Sequence, residues 1–389
     1  MVRKWLIFSG LLFCLVQVVN SQQTYEEWLR QQRKEYAQFK QEVTKQYKDF
    51  VRADSIAYAK FRYEVEQKWK EFVGSTYKAW VEYGDDLNSR SMVDFEEGEA
   101  KVEVIITEKE NKSQPGLAIE KLTKAVVKLV TDKGKTMDYE VKNQRPRPLG
   151  PRPVLEGQLK DKRGELVTAK KALSFAKEVV IGKKNEVFLP KDGVRRVKLA
   201  VTFSLVPGHL RIRAQRYLET VMSNAQKYKL DPRLVFATIH TESYFNPKAR
   251  SHAPAFGLMQ LVPTSGAREA YIFIYKEDKV LSPNYLYDPQ NNIELGCAYL
   301  HILGYRYFGD LDDPDSRRYC MVSAYNTGPG NVSRAIVGSR KVNRAIERIN
   351  KMESKKVFQK LKRDLPYKET RDYLVKVDER MNLYNECTE

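Results

Sequence analysis

Histidine is scarce in this chain, with four in 389 residues. None stands four residues from another, the spacing at which one helix face holds a catalytic zinc ion. His240-Thr241-Glu242 is therefore not a metalloprotease signature, and no metal is expected. A G-x-S-x-G elbow, which would present a serine nucleophile, is missing as well. No cofactor is expected either. Acidic residues are outnumbered, 50 against 68 Lys and Arg, for a formal charge of +18. So basic a surface favours anionic partners, and composition does not choose among them.

The apolar run WLIFSGLLFCLVQVV (5–19) is too short to cross a bilayer comfortably. It follows Arg3 and Lys4 and precedes Val19-Asn20-Ser21, so residues 1–21 read as a secretory signal peptide. Export makes nucleic acid an unexpected partner. Phe13 stands before Cys14, where a lipid-attachment site needs a small residue, so a lipid anchor at Cys14 is not the favoured reading. Cysteine is also sparse, with four in the chain. Cleavage leaves Cys297, Cys320 and Cys387, an odd set. A bridge between Cys297 and Cys320 is open, as is a pair of buried small apolar residues.

Glycine and proline are absent from residues 24–73, and that stretch repeats itself. YAQFKQEVTKQYKDFV (36–51) matches YAKFRYEVEQKWKEFV (58–73) at a 22-residue offset, twice the eleven-residue period that keeps an apolar stripe on one helix face. Tyr36, Phe39, Val43, Tyr47 and Phe50 make one stripe; Tyr58, Phe61, Val65, Trp69 and Phe72 make the other. The segment predicts one long helix or a helical hairpin, serving as a stalk or as a binding arm. Further on, MVDFEEGEAKVEVIIT predicts a hairpin turning at Glu97-Gly98, and GLAIEKLTKAVVKLV (116–130) a helix. VLEGQLKDKRGELVT (154–168) reads as a second hairpin, AKKALSFAKEVVI (169–181) as helix, and VRRVKLAVTFSLV (194–206) as a strand. Together these make a small α+β domain with no catalytic constellation.

Residues 207–389 are mostly helical by pattern. Asp231-Pro232 is a helix start, with Asp as N-cap and Pro in the first turn. Val235, Ile239 and Glu242 then share the apolar face. Glu242, the one acid in HTESYFNPKARSHAPAFGLMQL, should therefore lie toward low dielectric with a raised pKa, which suits a general acid. A buried glutamate in a structural hydrogen bond is the alternative. Gly257 is expected to open a short helix, GLMQL, from which Gln260 could reach toward Glu242. Tyr325 and Asn326 fall at a helix end before a Gly-Pro-Gly turn. Glu369, Thr370 and Tyr373 sit on one later helical turn. Aromatics and amides lining a groove suit sugar binding.

Four motifs, ES-x-FNP-x-A-x-S, APA-x-GLMQL-x-P, AYN-x-GPG and ET-x-x-Y-L, occur in order over this region. They resemble those of the lytic murein transglycosylases with a goose-lysozyme-like fold. MVDFEEGEAKVEV and the strand leading through VPGHL resemble the N-terminal domain of membrane-bound lytic murein transglycosylase C. The resemblance implies an α+β fold overall. A mainly α, lysozyme-like catalytic domain (207–389) would follow a helical arm (22–85) and an α+β domain (86–206). It implies Glu242 as the catalytic acid, with Ser251, Met259, Gln260, Tyr325, Asn326, Glu369 and Tyr373 on the substrate. Ser265 and Thr327 depart from the family's usual Thr and its usual Ala or Gly.

A glycosidase normally needs two carboxylates. The resemblance implies that one suffices here. Glu242 protonates the bond between N-acetylmuramic acid and N-acetylglucosamine, and the acetamido group stabilises C1. The C6 hydroxyl, giving its proton to Glu242, then closes a 1,6-anhydro ring. An intramolecular nucleophile has a large advantage over water. Peptidoglycan strands would be the partner and the periplasm the location, with outer-membrane attachment the weaker reading. Hydrolysis of the same bond with Glu369 activating water, and a non-catalytic wall-binding protein, are the alternatives.

Overall fold

A computed structural model describes the backbone of residues 3–136, 147–251 and 255–387. Side chains are described from residue 25 onward, several on the first helix and those of the last residues excepted. Residues 1–55 and 56–389 form two compact units. The first helix runs unbroken over Arg3–Lys68, so the segment is one helix and not a hairpin. From residue 24 to residue 68 no glycine or proline interrupts it. The first apolar stripe, like Cys14 and Cys387, lies outside the described side chains. Among the described residues no helix is long and apolar enough to cross a membrane.

The second stripe is explained by what it covers. Phe61, Val65 and Trp69 are buried together with Val81, Tyr83 and Ile105 of a five-stranded sheet. The strands are β1 (Ala79–Tyr83), β2 (Ser89–Asp94), β3 (Glu99–Thr107), β4 (Lys184–Phe188) and β5 (Arg196–Ser204). Their order is β1-β2-β3-β5-β4, and every neighbouring pair is antiparallel. Alternation along β3 sends Val102, Val104 and Ile106 to the opposite face, against Leu122, Val126 and Leu129 of the helix Leu117–Thr131. The sheet thus carries apolar layers on both faces. β1 lies inside the segment read above as the helical arm, and the second repeat packs on the sheet that β1 edges.

The expected hairpin at 154–168 shrinks to a minimal one. Lys160 and Leu166 form an isolated antiparallel bridge, flanked by Asp161 N donating to Glu165 O at 2.9 Å and Val167 N to Leu159 O at 3.0 Å. Asp161 accepts from the amides of Arg163 and Glu165, both at 3.0 Å, and so closes the loop between them. Two strands escaped the sequence reading. β4 is mostly exposed and charged, and β1 is five residues long; neither leaves an alternating pattern.

The β2–β3 hairpin does turn where expected. Gly98 has φ +69°, and a Cβ there would lie 2.6 Å from His209 Nε2. The hairpin tip therefore rests against the first helix of the helical half, His209–Gln215. In that half, Asp-Pro pairs start three helices, Pro232–Ser243, Pro289–His301 and Pro314–Thr327. Each Asp side chain accepts a backbone amide of its helix's first turn.

Candidate active site

The helix Pro232–Ser243 is buried on nearly every side from Leu234 to His240. It is a core helix, which fixes its end rigidly. His240 is neutral: burial, with the nearby Arg380 and Arg213 charges, pushes its imidazole down to about 3. Tyr384 Oη lies 3.0 Å from its Nδ1. Ser243, fully buried, donates to Leu258 O at 2.7 Å and so ties the helix end to the 256–261 loop.

Glu242 is half-buried. Removal from water, reinforced by the Glu369 charge and partly countered by Tyr373, pushes its carboxyl up to about 8. Partial exposure together with strong desolvation fits a carboxyl lining an opening rather than one sealed in a core. The carboxyl is protonated at neutral pH. Its pKa is above the ordinary 4.5, so the stability it contributes is fully present below about 4.5. That stability is lost as pH rises through about 8. Glu242→Gln removes this dependence. The variant should match the parent's stability at pH 4 and exceed it by about 1–2 kcal/mol at pH 8, after discounting for partial exposure. Thermal melts at the two pH values measure this; equal differences at both would contradict the raised pKa.

Three other expected residues converge on this carboxyl. Tyr373 and Tyr325 are both raised in pKa by burial first and then by the Glu242 charge. The buried Tyr373 hydroxyl has no hydrogen-bond partner within the usual limits among the described residues. Tyr325 Oη donates to Met259 O at 2.8 Å. Glu369 is exposed on the first turn of the helix Lys368–Met381 and acts on Glu242 as a charge. Asn326 is oriented from the same helix: Thr370 Oγ1 donates to its Oδ1 at 2.6 Å.

Gln260 is placed differently from the expectation. GLMQL is a turn, not a short helix, because Gly257 (φ +76°) and Gln260 (φ +46°) take left-handed conformations. The Gln260 amide donates to Ala249 O and Gly257 O, both at 2.9 Å, and so fastens the loop. Met259 has its side chain buried against Gly296; its carbonyl is what meets Tyr325. Ser251 lines a separate cavity of about 700 Å³ with Tyr58, Phe72, Tyr77, Arg250 and Tyr287. Cys297 and Cys320 are buried free thiols.

Asn292 was not legible in the sequence. Fully buried, it accepts from Met259 N at 2.7 Å and donates to Phe256 O at 2.9 Å and Leu286 O at 2.6 Å. It holds the loop under Tyr325.

Two family models match the chain. One, described as the transglycosylase SLT domain, covers residues 219–347. The other, the N-terminal domain of membrane-bound lytic murein transglycosylase C, covers residues 36–216. A membrane-bound lytic murein transglycosylase C of Sodalis glossinidius is 36% identical over 302 residues, 77% of this chain and 81% of that one. The chain belongs to the lytic murein transglycosylase C family. Its Serratia proteamaculans relative is 34% identical over 79% of this chain and 82% of its own length. Among solved structures, the 70 kDa soluble lytic transglycosylase of Escherichia coli aligns over 44% of this chain and 24% of its own, at 26% identity and a TM-score of 0.33. As a family member the chain is a lytic murein transglycosylase, and its four sequence motifs map to the elements around Glu242. The second family model also accounts for the sheet and the end of the first helix.

Proposed function

We propose that Glu242 acts as general acid and then as general base in cleaving the MurNAc–GlcNAc β-1,4 bond of peptidoglycan. The product is a 1,6-anhydro-MurNAc end. What carries this reading is the desolvated Glu242 carboxyl at the end of a buried helix, facing Tyr325 and Tyr373, with its pKa pushed up to about 8. The proton goes to the glycosidic oxygen and the bond to C1 breaks. The acetamido group shares the positive charge on C1. The C6 hydroxyl attacks C1 and returns its proton to Glu242, so that no atom is gained from water. Tyr373 and Tyr325 flank the carboxyl where charge develops. Asn326, Glu369 and the Met259 backbone are assigned to the substrate groove, while Gln260 supports its loop and Ser251 lines the neighbouring cavity. Residues 207–389 make the catalytic part, with the helical arm and the α+β domain before it.

Hydrolysis is the second reading, because Glu369 lies near enough to act on Glu242. A mass spectrum of digested murein separates the two. Products lighter by one water than ordinary reducing-end muropeptides are expected; ordinary reducing ends would make Glu369 a water-activating base. The relatives are named membrane-bound, which supports association with the envelope. Export by a signal peptide at residues 1–21 and action in the periplasm complete the proposal.

A further inference from the structure

The turn after the Glu242 helix is gripped by a different part of the molecule. Tyr244 (φ +50°) and Phe245 (φ +59°) are two consecutive non-glycine residues in the left-handed region. Side-chain-bearing residues hold that conformation only where the surroundings over-determine it. Phe245 is fully buried among Tyr217, Phe236, His240 and Tyr384, and Tyr244 is held against the β2–β3 turn. Arg213, buried in the helix His209–Gln215, donates from Nε to Tyr244 O at 3.1 Å. The same guanidinium donates to Phe95 O at 2.9 Å and lies 4.5 Å above the Phe95 ring. The Tyr244 hydroxyl donates to Glu96 Oε1 at 2.6 Å and accepts from Arg380 at 2.8 Å. Glu96 is in turn ion-paired with Lys78, which together with the Tyr244 hydroxyl keeps its carboxyl below the usual range. Arg380 also donates to Thr241 Oγ1 at 3.1 Å, one residue before Glu242.

We propose that Tyr244 is a positioning residue, through which Glu96 of the β2–β3 turn and Arg380 of the last long helix set the direction of the Glu242 carboxyl. This rests on Glu242 being the catalytic acid. The α+β half then supplies part of the catalytic geometry as well as packing. The physical reason is leverage. The helix before Glu242 is fixed by its burial, and the strained turn after it is held at the Tyr244 carbonyl by Arg213 and at the Tyr244 phenol by a partner on each side. A displacement of the reacting groups by about 1 Å can cost on the order of 100-fold in rate while leaving remote binding contacts in place.

The test is a cycle of Tyr244→Phe, Glu96→Ala and the double variant in the full-length chain, with murein as substrate and Glu242→Gln as control. Tyr244→Phe removes one oxygen and keeps the ring. Its kcat should fall about 10-fold with KM within twofold, at an assay temperature where all variants are folded. Glu96→Ala should fall similarly, and Glu96→Gln, which keeps an acceptor, should retain more activity than Glu96→Ala. The double variant should be no slower than either single one, because both break the same link. Tyr244→Phe with kcat within twofold of the parent, or losses that multiply in the double variant, would overturn the proposal while a dead Glu242→Gln left the site reading intact. Turnover by Glu242→Gln would overturn the site reading, and this inference with it.

Discussion

Glu242→Gln lowers murein turnover by about 1,000-fold, within the range expected for loss of a general acid, and leaves glycan binding within a few-fold. Glutamine keeps the shape of the side chain but has no proton to give to a leaving oxygen. The bonds that shape the groove do not run through Glu242. Tyr325 is held by Met259 O, Asn326 by Thr370, and the 256–259 loop by Asn292. Binding should therefore survive the loss of chemistry. Soluble muropeptide release measures the first effect, and murein pull-down by the variant measures the second. Turnover within tenfold of the parent would refute the assigned role.

Asn292→Leu destabilises the protein by about 3–5 kcal/mol. Leucine keeps the branched heavy-atom outline of asparagine at a larger volume and cannot satisfy Met259 N, Phe256 O or Leu286 O. Each orphaned buried group costs about 1–3 kcal/mol. The site is fully buried, so bulk water does not compensate without disrupting the packing. Nor does the loop have room to move: a Cβ at Gly257 would come within 2.4 Å of Leu286 O and 2.5 Å of Asn292 Nδ2. Denaturant unfolding of the full chain reads this directly. A loss below about 1 kcal/mol would mean that other contacts hold the loop.

The residues that carry local signals were legible in the sequence. Asp231-Pro232 announced the Glu242 helix because a cap is decided within one turn. The β2–β3 turn showed itself through Gly98, and the second aromatic stripe through its spacing. What stayed hidden depends on partners far along the chain. Asn292 acts on residues 256–259 and Thr370 on Asn326. Arg213 joins Phe95 to Tyr244 across 118 and 31 residues of sequence. Nothing in the neighbourhood of an asparagine or an arginine marks such a role. Gln260 shows the opposite failure. Its motif placed it near the acid, but two left-handed residues turn its amide onto its own loop. At residues 154–168 the pattern overstated the length of the hairpin, whose pairing is confined to residues 159–161 and 165–167 around the turn that Asp161 closes. The repeat was legible as one long helix or a hairpin, of which the first holds, but the sheet beneath it was not legible.

The central claim is that one carboxylate suffices because no water enters the reaction. Digestion of murein in water enriched in heavy oxygen tests it most directly. The account predicts anhydro ends carrying none of the heavy isotope as the main product. Reducing ends labelled at C1 as the main product would contradict it.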